Sequence, residues 1–167
     1  MVYKIIILIA VILAFSIAAA AQSDFPYEKY KPRTISEILA ISAEMQKKPD
    51  DKLPVPNIIF SADFLHSQVR VKFQNKSRPI PAERKELLGQ WQKVFSVDGK
   101  LAARFTDEYL FTECGVEYWM PVQSQVASYF PKELKEGDMI TLYLIRSAGR
   151  KTKDGFDWIF LVNEFEK

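Results

Sequence analysis

Residues 104–123 read RFTDEYLFTECGVEYWMPVQ, two runs rich in aromatic and branched side chains divided by Cys114-Gly115. Such side chains fill a pleated, half-buried surface well, and a glycine at the division supplies the positive φ a tight turn requires. The stretch therefore predicts a β-hairpin, Arg104–Glu113 paired with Val116–Gln123. Working outward, residues 68–74 (QVRVKFQ) alternate strictly. Val69, Val71 and Phe73 point one way and Arg70, Lys72 and Gln74 the other, the pattern of an antiparallel strand with one covered face.

Two helical periods flank that strand. Thr34-Ile-Ser-Glu37 has the spacing of a capping box, and Ile35, Ile38, Leu39, Ile41 and Met45 follow at three- and four-residue steps as far as Lys47-Lys48-Pro49. Residues 49–57 (PDDKLPVPN) read as a stiff linker. NKSRPIP (75–81) reads as a break, after which Pro81 opens a helix to about Ser96 with Leu87, Leu88, Trp91, Val94 and Phe95 on one face. Val97-Asp98-Gly99 reads as a turn. Residues 125–134 hold one short helical turn broken at Pro131. Met139–Arg146 and Phe156–Phe165 form a second hairpin across a polar loop, SAGRKTKDG (147–155).

The expected fold is α+β: a small five-stranded antiparallel sheet or partly open barrel with two amphipathic helices. In architecture it resembles the OB and SH3-like barrels. An OB barrel carries its helix between the third and fourth strands, whereas the strongest helix here falls between the first and second.

The first residues decide location. Lys4 precedes an apolar run from Ile5, and Ala19 and Ala21 fit an A-x-A cleavage site. Residues 1–21 are expected to be a cleavable signal peptide, 22–33 an extended lead-in and 34–167 one globular domain that is periplasmic or extracellular. No stable membrane span is expected once the signal is removed. The chain carries a formal charge of +2, which gives no general attraction to nucleic acid. It has one cysteine, so no internal disulfide forms, and Cys114 is expected to be buried core filler.

No pattern specific to catalysis, a metal or a cofactor stands out. His66 is the only histidine. A thiol hydrolase would need it beside Cys114, with Asp63 as orienter, and no nucleophile motif accompanies them. Asp107, Glu108, Glu113 and Glu117 read as a solvated acidic edge. A glycosidase pair such as Asp107 with Glu117 would need its carboxyls about 5–10 Å apart. The more informative set is aromatic and basic. Tyr109, Phe111, Tyr118 and Trp119 lie on one hairpin, and Arg70, Lys72 and Arg150, with Arg104, Arg146, Lys151 and Lys153, are placed to flank a concave sheet face. Aromatic platforms with nearby cations suit stacking ligands. The leading expectation is an exported non-enzymatic module that binds a protein or a cell-envelope polysaccharide through its sheet face and hairpin loops. The alternatives are a small hydrolase using His66, or an assembly subunit that docks through the Thr34–Lys48 helix.

Overall fold

The computed structural model describes residues 25–44, 56–95 and 99–167. The signal peptide, most of the 49–57 linker, the end of the first helix at Lys47–Pro49 and the start of the 97–99 turn lie outside the described residues.

The fold is α+β, but its sheet has seven strands, is mixed, and is partly ring-like. In chain order the strands are β1 (Lys31–Pro32), β2 (Ile58–Phe60), β3 (Ser67–Pro79), β4 (Phe105–Glu113), β5 (Val116–Gln123), β6 (Met139–Thr152) and β7 (Gly155–Glu166). The helices are α1 (Ile35–Glu44), α2 (Ala82–Val94), α3 (Ser124–Ala127) and α4 (Phe130–Glu133). The strand order is β1-β3-β4-β5-β7-β6-β2, and β3 also pairs with β6. Two pairings are parallel, β1 with β3 and β5 with β7.

The expected antiparallel set of five strands is corrected at several points. The predicted break at 75–81 is strand for most of its length. Between Phe73 and Ser77 the register shifts, and Asn75 takes φ 50°, a left-handed value that asparagine tolerates well. The bulge bends β3 away from β6, which it pairs over residues 67–72, and onto β4 from Lys72 to Pro79. The predicted 147–155 loop is also largely strand: β6 and β7 continue to a turn at Lys153–Asp154. There Gly149 lies opposite Trp158, and a Cβ on it would come 2.8 Å from the indole. Glycine is needed for that approach rather than for a turn.

The lead-in is more ordered than expected. It forms a 3₁₀ turn at Tyr27–Lys29 and then the short β1, because Phe25, Tyr27 and Tyr30 pack edge-on or stacked around Tyr143 of β6. Pro131 opens α4 rather than breaking a helix, as its missing N–H allows.

Two buried clusters result. The inward residues of the ring (Val69, Val71, Phe73, Phe111, Met120, Leu142, Leu144, Phe160) join Ile35 and Ile38 of α1 and Phe130 of α4. Along β4, Tyr109 meets Phe130 while Glu113 meets the start of α1, so the two helices close opposite ends. The second cluster lies outside the ring, where Leu87, Leu88 and Trp91 of α2 cover Ile145, Ile159 and Leu161 of β6 and β7. Val94, expected on that face, is exposed.

Candidate functional site

The hairpin β4–β5 forms as the sequence predicts, with Cys114 and Gly115 both at positive φ in its turn. Its register sorts the candidate residues between two faces. Phe111 opposes Tyr118 and Tyr109 opposes Met120; these side chains point into the ring. Phe111 is fully buried, Tyr109 packs on Phe130, and Tyr118 is held against the core. Burial raises the phenol pKa of Tyr109 and of Tyr118, with negative neighbours adding to it: Asp107 for the first, Glu113 and Cys114 for the second. Phe111 therefore offers no surface to a ligand. The expectation that the four aromatics form one platform fails because adjacent strand residues face opposite ways.

Trp119 is the member of the set that points outward, opposite Leu110. On one side of this pair runs the row Lys72–Thr112–Glu117, and on the other the row Arg78–Glu108–Pro121. The Arg78 guanidinium lies 4.1 Å from the centre of the Trp119 ring, and Arg78 Nε donates to Glu108 Oε1 at 2.6 Å. Glu108 is wholly buried, which corrects its reading as a solvated acid. Arg84 of α2 stands with Nε 3.4 Å from Glu108 Oε2, close enough to pair in charge but outside hydrogen-bond geometry. Arg84 also donates to the Trp119 carbonyl and reaches Asp157 of β7. One buried carboxylate thus holds Arg78 by a hydrogen bond and stands close to Arg84, and the Arg78 guanidinium lies over the indole. Stacked, hydrogen-bonded guanidinium is a pre-ordered surface for a planar or anionic ligand. Arg70 and Lys72 are exposed on the same side of β3, and Arg150 lies farther off beside Arg84 and Asp157.

Other candidates take structural roles. Arg146, expected to flank the face, is buried inside the ring at its α1 end. It donates to Ser42 Oγ (2.6 Å), Asp63 Oδ1 (2.9 Å) and Ser61 Oγ (3.1 Å), and it lies over Trp158. Burial alone would raise the Asp63 pKa, but hydrogen bonds from Ser61 and Arg146 and the Arg146 charge outweigh it and hold it below the usual range. The His66 ring packs edge-on against Tyr30 and Phe64, while the Asp63 carboxylate is engaged by Ser61 and Arg146 rather than by His66. Burial and the nearby Lys29 charge lower the His66 pKa, with Asp63 partly opposing them. Cys114 is exposed at the hairpin tip, not buried, because its turn projects beyond the sheet. Glu113 is buried and accepts the Ile35 N–H at the start of α1 at 2.9 and 3.0 Å. Asp107 opposes Val122 and Glu117 opposes Thr112. That separates the two acids by roughly 17 Å along the strand, beyond the reach of a glycosidase pair.

A groove of about 830 Å³ opens beside β5 and β7, at the thinnest joint of the ring. Val122↔Val162 is the single register pair there, and the Gln123 amide donates to Asn163 Oδ1 across the widening gap at 2.8 Å. Tyr129, Gln125 and Glu133 from the α3–α4 segment form one wall, and Phe25 and Arg104 contribute to the rim.

Among the described residues no helix is long and apolar enough to cross a membrane. Compared with protein-family models, curated proteins and solved structures, the chain matches none.

Proposed function

We propose that this chain is an exported, non-enzymatic binding module built on an OB-like barrel. Its ligand is a protein or cell-envelope polymer held on the outer β3–β4–β5 face. Numbered along the ring, β3, β4, β5, β6 and β7 are barrel strands one to five. Their order is 1-2-3-5-4 with 4 returning to 1, and strands three and five run parallel. The α3–α4 segment falls between the third and fourth, where an OB barrel keeps its helix. Such barrels use the face of strands two and three for extended ligands, an analogy that speaks to place and not to identity.

The observation that carries the reading is Arg78 lying over partly buried Trp119 and hydrogen-bonded to buried Glu108. An immobilised cation over an aromatic loses little entropy on binding. Farther along β3, exposed Lys72 and Arg70 add positive charge toward one end of the face, which favours an anionic partner. The test is crosslinking of the exported chain in its native cells, with captured molecules identified by mass spectrometry. Trp119→Ala should lose the captured partner while keeping its unfolding midpoint, and an unchanged capture profile would sink the assignment. Tyr118 is left out of the test because its packing against the core confuses binding with folding.

A further inference from the structure

We infer that the groove at the β5–β7 seam is a second binding site, and that its ligand is a neutral, hydroxyl-rich saccharide. The volume, about 830 Å³, lies within the usual range of small-ligand sites, ~300–1,000 Å³. The site is independent of Trp119, whose side chain lies on the outer face and does not line the groove.

The chemistry of the walls selects the ligand class. Gln123, Gln125 and Asn163 supply planar amides that both donate and accept, as a hydroxyl does. The Gln123–Asn163 bond and the bond from Asn163 Nδ2 to Tyr30 Oη (3.2 Å) fix two of these amides in place. In the first of these bonds Gln123 is the donor, and its Oε1 is an acceptor. Tyr129 is 44 % exposed and offers a ring against which the C–H face of a sugar packs.

Other ligand classes fit less well. Among the lining residues an anion meets one cation, Arg104, against two carboxylates, Glu133 and Glu164, with Lys132 Nζ outside the lining at 6.0 Å from the centre of the Tyr129 ring. A purely apolar ligand would strip water from all of these polar groups without replacing their hydrogen bonds. An added peptide strand would need the free edge of β7, where the Phe165 N–H is already taken by the Glu164 carboxylate at 2.9 Å. A saccharide needs no ladder and uses donors and acceptors together.

The test is calorimetric titration of the full chain, expressed for export, with cellotetraose, maltotetraose and chitotetraose. In parallel, the side-chain amide resonances of Gln123, Gln125 and Asn163 are followed by NMR. One tetrasaccharide should bind and move those resonances. Tyr129→Ala and Gln125→Ala, both at exposed positions, should each weaken binding roughly tenfold. Tyr129→Phe should retain it, and Trp119→Ala should leave it unchanged. Silence from all three sugars at about 5 mM, or affinity indifferent to Tyr129→Ala, overturns the proposal. Loss of sugar binding in Trp119→Ala would overturn it in favour of the outer face.

Discussion

Arg146 of β6 reaches Ser42 of α1 with a 2.6 Å hydrogen bond inside the ring, 104 positions away in sequence. The bond ties the helix that closes one end of the ring to the strand that forms its wall. The same guanidinium holds Ser61 and Asp63, so a single side chain organises α1, β6 and the 61–66 loop. Arg146→Ala should therefore cost about 3 kcal/mol of stability, as loss of a large buried side chain combines with stranded hydroxyls. Ser42→Ala should cost about 1 kcal/mol. Urea unfolding curves check both, and an Arg146→Ala midpoint equal to wild type would refute the role.

Glu108 offers a second lever. Removing it leaves the largely buried Arg84 with only the exposed Asp157 as a carboxylate partner and frees Arg78 from its hold over Trp119. Glu108→Ala should destabilise the fold by about 3 kcal/mol. It should also change the fluorescence of Trp119 against the buried Trp91 and Trp158, an effect that a Trp119→Phe background would abolish.

Glu113 caps α1 from another element, so Glu113→Ala should cost about 1–2 kcal/mol and weaken amide protection in residues 35–38. Hydrogen exchange resolves this from a global loss, which would lower protection in β6 and β7 equally.

The pH response has a definite sign. His66 has a folded pKa below its unfolded value, so its contribution is complete above about 6.5 and is lost as pH falls through the folded value. Asp63, also depressed, contributes above about 3.9 and loses that contribution as pH falls further. Stability should thus decline in two steps on acidification. His66→Gln should remove the upper step alone, and a mutant retaining both would contradict the assignment.

Gly149 meets the Trp158 ring too closely for any side chain. Gly149→Ala should cost about 1–3 kcal/mol, measured by thermal melting, despite alanine's better strand entropy.

The parts of this fold legible in the sequence are those governed by neighbours in the chain. The β4–β5 hairpin follows from its own alternation and turn, and the Thr34–Glu37 capping box forms as spaced, with bonds of 2.7 and 3.1 Å. What stayed hidden depends on distant partners. Glu108 and Glu113 read as solvated acids because their counterparts lie in α2, β3 and α1. Ser147, Ala148 and Gly149 read as loop because small residues signal turns, yet here they make room for Trp158 and for contact with the second cluster. The outward position of Trp119 was implicit in strand alternation, since Phe111 and Tyr118 had to share the opposite side. The burial of Arg146 had no local signal at all.

The β3–β6 pairing joins stretches about seventy positions apart, and the seam with β5 is made by β7, the last of the seven strands. No early hairpin can close the ring, so the loop entropy is spent before the contacts that reward it appear. Folding should be slow for a domain of this size, on the millisecond-to-second scale of non-local β topologies. During that interval the inward aromatics of β3, β4 and β5 stand uncovered, a period of vulnerability to self-association that ends when the final hairpin docks.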